Sequence, residues 1–150
     1  PPYSRIRTDR YREARFTPEN TPKILASRVR RVQHFSSEAR PLSADEFQRR
    51  IIAIESDVNK IHARGGRVVF IRMPSSGEVR KIEAATWPKE TYWDVFARQT
   101  SGLTVHFEEH DSLKHFFCPD GSHLDVRDAK LFTKNLIQTL ERDKKFVAGS

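Results

Sequence analysis

Arg67-Val68-Val69-Phe70-Ile71-Arg72-Met73-Pro74 holds an unbroken β-branched and aromatic run that a proline stops. A strand with one wet face alternates polar and apolar residues, whereas a strand covered on both faces need not. The run therefore predicts a central parallel strand. Upstream, Ser43-Ala44-Asp45-Glu46 has the serine and glutamate of a capping box. Phe47, Ile51, Ile54, Val58 and Ile61 then recur every three or four residues, which predicts an amphipathic helix ending near Gly65-Gly66. Downstream, residues 91 to about 99 carry Tyr92, Trp93, Val95 and Phe96 at helical spacing, and Gly102 is placed to end that helix. Leu103 to Phe107 reads as a second short strand. Asp125 can cap a last helix that carries Val126, Ala129, Phe132, Leu136 and Leu140 on one face.

Helix, strand, helix, strand, loop, helix is the order of an α/β chain with helices on both sides of a parallel sheet. Two buried strands alone would leave sheet edges unpaired and apolar faces uncovered, so strands upstream of Pro1 are expected to complete the sheet, the alternatives being unrecognised strands within the first forty residues or strands from another chain. The lack of an initiating methionine fits a piece of a longer protein.

Before residue 43 the text is different. Residues 1 to about 20 lack periodicity, contain Pro18, and read as a connecting arm; Pro22 then opens a short helix with Ile24, Leu25, Val29 and Val32 on one side. The division expected is a basic arm with a short helix over residues 1–40 and an α/β portion over residues 41–150. The net charge of +7 is concentrated early, in Arg5, Arg7, Arg10, Arg12, Arg15, Arg28, Arg30, Arg31 and Arg40. Such a face can meet phosphate, anionic lipid or an acidic polymer, or serve as a solvated helix face. No zinc-finger spacing, aromatic RNA-binding signature or helix-turn-helix pattern accompanies it, which argues against nucleic acid as the partner.

The 150 residues are 37% hydrophobic and 10% aromatic, enough for a core, and no stretch reaches the roughly 18 apolar residues of a membrane span, so a soluble segment is expected. The single cysteine, Cys118, excludes an intrachain disulfide and a CxxC site and leaves the compartment open. His106, His110, His115 and His123 invite a zinc reading, but a strand end falls between the first two, so they are read as surface histidines and one proton acceptor, with no metal.

In open α/β sheets ligands bind beyond the carboxyl ends of the strands. Two loops qualify here, Pro74-Ser75-Ser76-Gly77 and residues 108–124. The second holds Asp120 and His123, whose three-residue offset lets both side chains project from one turn. A carboxylate there can fix the imidazole tautomer so that Nε2 faces a nucleophile. The alternative for the pair is a helix-capping cluster without catalysis. Ser75 and Ser76 are candidate substrate-binding hydroxyls or plain turn residues. Arg72 is a candidate contact for a carbonyl or anionic oxygen, or a strand-end charge reaching solvent.

At Asp120-Gly121-Ser122-His123, set before the final helix, the chain resembles the SGNH hydrolases, also called GDSL-type esterases, whose last block is D-x-x-H. Arg67 to Pro74 is also similar to a later strand of that family, and the likeness covers roughly residues 43 to 141. The resemblance implies a three-layer α/β/α sandwich with a parallel, flavodoxin-like sheet, incomplete in this chain. It implies a serine esterase or O-acyltransferase, with acylated carbohydrate or another O-acyl ester as substrate and no cofactor. Similar proteins modify cell-surface polymers and are often anchored in a membrane. The family's G-D-S block and its glycine and asparagine oxyanion donors have no counterpart here. The resemblance therefore implies the carboxy-terminal half of the fold, with the nucleophile upstream and this segment inactive alone. The rival expectation is a non-catalytic module that holds an anionic polymer or membrane surface through its arginine-rich start.

Overall fold

The computed structural model describes residues 4–8, 10 and 12–143; the expected readings at residues 1–3 and 144–150 lie outside them. It is a mixed α/β structure with two small sheets and six helices among the described residues.

The parallel sheet pairs β3 (Val69–Arg72) with β4 (Leu103–His106), in the register Val69 to Leu103 and Arg72 to His106. Between them run α3 (Gly77–Thr86) and α4 (Trp93–Gln99), the helical crossover that parallel neighbours require. The expectation of a strand buried on both faces is corrected: no residue of β3 is fully buried, and Ile71 is 37% exposed. The physical reason is the sheet's width, since among the described residues β4 is the only strand beside it.

Ahead of this sheet, α2 (Ala44–His62) starts from the expected capping box, with the Ser43 hydroxyl accepting from the Glu46 amide and the Glu46 carboxylate accepting from the Ser43 amide. The amino-terminal region departs from the reading of an arm. β1 (Ser4–Ile6) and β2 (Arg12–Ala14) form an antiparallel hairpin, and α1 (Thr21–Glu38) is a long helix of 18 residues. α1 packs on α3, and a hydrogen bond between Ser36 and Thr86 joins them.

After β4 come a single 3-10 turn at Phe107–Glu109, the short α5 (Asp111–Lys114), and α6 (Val126–Arg142). The expected apolar face of α6 seats Phe132 in the core with Val105, Phe107 and Leu113, and the Phe116 ring meets Phe132 edge-on at 5.3 Å. Asp125 caps α6 by accepting from the Arg127 amide, while its other oxygen accepts from the Phe16 amide at 2.9 Å. That buried bond fastens the segment after the hairpin to the start of the last helix. Among the described residues no helix is long and apolar enough to cross a membrane.

Candidate functional site

The turn Cys118–His123 is built around one carboxylate. Asp120 is 0% exposed, and its Oδ1 accepts from the amides of Ser122 at 2.9 Å and His123 at 2.8 Å. Gly121 lets the chain turn this tightly. Its φ of +86° lies in the left-handed region, and an added Cβ would sit 2.4 Å from Val79 Cγ2.

With Oδ1 occupied by the backbone, Oδ2 of Asp120 meets His123 Nδ1 at 2.9 Å. Burial pushes the Asp120 carboxyl up. The imidazole hydrogen bond, the two amides and the charge of His123 outweigh that burial and hold the carboxyl below its ordinary range. Two further groups approach the same imidazole nitrogen, the Ser122 hydroxyl at 3.1 Å and Arg28 Nη2 at 3.4 Å. The shortest contact decides the tautomer: Nδ1 donates to the carboxylate, and Arg28, whose Nη2 is also 3.5 Å from Oδ2, serves as an ion-pair partner of Asp120.

Nε2 of His123 has no hydrogen-bond partner among the described residues. The ring is 46% exposed and lines a cavity of about 400 Å³ with Met73, Pro74, Leu124, Val126 and Phe132. Ser4 and Arg12 of the hairpin reach the same cavity.

The other sequence candidates sit around this turn and do not join the pair. Ser75 is buried and its hydroxyl donates to Glu83 at 2.7 Å; Arg72 donates to the same Glu83 oxygen at 2.5 Å. Ser76 braces the turn. Its hydroxyl accepts from the Cys118 amide at 2.9 Å, and its amide donates to the Gly121 carbonyl at 2.9 Å. Cys118 is buried beside it, with its thiol donating to the Pro74 carbonyl at 3.3 Å. Burial first, then the nearby Asp120 charge, push that thiol up to about 12. Among the described residues no three histidine, cysteine, aspartate or glutamate side chains gather as a metal site.

Sequence reasoning missed Arg28. It lies 92 residues from Asp120 along the chain, and no local pattern marks it off from its arginine neighbours.

Fold and site together define a mixed α/β protein with an aspartate-oriented histidine at the wall of an apolar cavity. Comparison with protein-family models, with curated proteins and with solved structures finds no match for the chain.

Proposed function

We propose that the chain is the carboxy-terminal part of an SGNH-type ester hydrolase or O-acyltransferase, contributing the histidine and aspartate of a Ser-His-Asp triad. One observation carries the reading. A fully buried carboxylate occupies one imidazole nitrogen of His123 and leaves the other unbonded at an apolar cavity.

In that arrangement Nε2 takes the proton of an attacking serine hydroxyl and later returns it to the leaving alkoxide, while Asp120 stabilises the imidazolium in between. Ser122 is not that serine, because its hydroxyl meets Nδ1, on the side the carboxylate occupies. The nucleophile and the oxyanion donors are assigned to a portion of the parent protein upstream of Pro1, together with the strands that complete a three-layer α/β/α sandwich on the outer edges of β3 and β4, which no other strand among the described residues pairs. The cavity's apolar wall of Met73, Pro74, Leu124 and Val126 suits an acyl group, so an O-acyl ester, such as an acylated carbohydrate, is the substrate class.

The test uses the parent protein with its upstream portion and p-nitrophenyl acetate. His123→Ala should cut turnover by at least about a thousandfold, and Asp120→Asn by at least about a hundredfold. Turnover retained by His123→Ala refutes the assignment.

A second reading draws on α1, where Lys23, Ser27, Arg28 and Arg31 surround a shallow cavity of about 290 Å³. On that reading the chain holds an anionic polymer or membrane surface without catalysis. Its binding would weaken steeply with salt, which ester turnover would not.

A further inference from the structure

Arg28 stands apart from the arginines beside it on α1. Arg30 and Arg31 are exposed, whereas the Arg28 side chain is 20% exposed and its Nε is buried without a hydrogen-bond partner among the described residues. A buried donor left unmade costs stability, so something must hold the guanidinium where it lies. Among the described residues its one ion pair is with Asp120, Nη2 to Oδ2 at 3.5 Å.

Asp120 has a single charge to share. Its Oδ1 is taken by the amides of Ser122 and His123, and its Oδ2 faces both His123 Nδ1 at 2.9 Å and Arg28 Nη2. Arg28 Nη2 also lies 3.4 Å from His123 Nδ1. Both nitrogens donate toward the same oxygen, so the guanidinium gains no hydrogen bond from the ring. When Nε2 takes up a proton, the new positive charge arises next to one already fixed there. The Asp120 carboxylate favours that protonation and Arg28 opposes it.

The other charged groups near the ring leave this balance in place. Arg12 on β2 lines the same cavity, with its Nε donating to Ser4, and acts in the same direction as Arg28. Asp125, two positions on at the start of α6, is matched by the Arg127 side chain and the Phe16 amide.

We propose that Arg28 is a positioning residue for His123: by sharing Oδ2 of Asp120 it fixes a positive charge beside the imidazole, keeps the ring in its neutral, proton-accepting form, and makes the imidazolium a readier donor to the leaving alkoxide. This role rests on His123 being the proton carrier of the site, and the titration that tests it needs no turnover.

The ring Cε1–H resonance of His123, assigned by its loss in His123→Ala, follows protonation of the ring as pH is varied. Arg28→Met removes the charge and keeps the apolar stem, and should raise the midpoint by about half a unit or more, the effect of one charge about 4 Å away in a water-like medium. Arg28→Lys restores a charge and should return the midpoint to within about 0.2 unit of the unaltered chain. Arg28→Gln can still donate to Oδ2 but carries no charge, so it should titrate like Arg28→Met and decides the matter if that variant does not fold. A purely structural staple between α1 and the turn would lower the thermal melt and leave the midpoint where it was. A midpoint unmoved or lowered in a folded uncharged variant, or Arg28→Lys titrating with the uncharged pair, would overturn the proposal. In the parent protein with p-nitrophenyl acetate, the acid limb of kcat/KM should rise with the midpoint in Arg28→Met. Turnover abolished by His123→Ala together with a midpoint that ignores Arg28 would overturn this role and leave the acyl-transfer reading standing; a midpoint that follows Arg28 while His123→Ala retains turnover would support the coupling and refute that reading.

Discussion

Replacing Gly121 with alanine tests the turn that holds the His123–Asp120 pair. An L-residue held at φ +86° costs about 1–2 kcal/mol of backbone energy. The new methyl would also sit 2.4 Å from Cγ2 and 2.8 Å from Cβ of Val79, a side chain that is 0% exposed and anchored on α3. Forcing a methyl into a packed wall costs about 1–3 kcal/mol more. The sum, about 2–5 kcal/mol, is a large share of the ~5–15 kcal/mol that stabilises a typical domain. Urea unfolding followed by far-ultraviolet circular dichroism measures the loss. Val79→Ala made in the same molecule removes Cγ2, the nearer of the two atoms struck, so the double variant should be more stable than the sum of the single changes by at least about 1 kcal/mol. A Gly121→Ala loss below about 0.5 kcal/mol, or strict additivity with Val79→Ala, would refute the reasoning.

Three further outcomes follow from the same geometry. Burial pushes Asp125 up, but the Arg127 side chain, the Phe16 and Arg127 amides and the Arg127 charge together bring it down to about 2, below its ordinary 3.8. Its contribution, on the order of 2 kcal/mol, is therefore complete above about pH 4 and lost as pH falls toward 2; Asp125→Asn should flatten that acid limb of stability against pH, and an equally steep limb would contradict the assignment. Cys118, 1% exposed with its thiol pushed up to about 12, should resist an aromatic disulfide reagent at pH 8 until denaturant is added, whereas rapid stoichiometric reaction of the native chain would place the thiol elsewhere. Ser43→Ala removes the side-chain acceptor of the α2 capping box and should cost about 1 kcal/mol in the same urea assay, with a change under about 0.3 kcal/mol counting against it.

The elements legible in the sequence are those whose signal is local and repeated. The capping box at Ser43 and Glu46 and the five-residue apolar stripe behind it mark α2 with no help from the rest of the chain. β3, β4 and α6 are legible for the same reason, through a β-branched run, a glycine before a strand and an aspartate cap. α3 is not, because Pro74-Ser75-Ser76-Gly77 reads as a turn and Gly77, at φ +58°, opens the helix; only Val79 and Ile82 carried an apolar signal there. The β1–β2 hairpin escapes because strands of three residues, two of them Ser4-Arg5-Ile6 and Arg12-Glu13-Ala14, are too short and too polar to alternate.

The pairing of Asp120 with His123 is readable because the two stand three positions apart in one turn, so local geometry brings them together. The contacts that complete the site span the chain. Arg28 reaches Asp120 across 92 residues and Phe16 reaches Asp125 across 109, and neither leaves a mark in the local text.

Which nitrogen of His123 carries the proton is the most direct test of the account. A long-range ¹H–¹⁵N spectrum of the imidazole, taken where the ring is neutral, should show Nδ1 protonated and Nε2 bare, since Nδ1 lies 2.9 Å from a buried carboxylate oxygen. A bare Nδ1, accepting from Ser122 or Arg28 at 3.1 and 3.4 Å with the proton on Nε2, would contradict it.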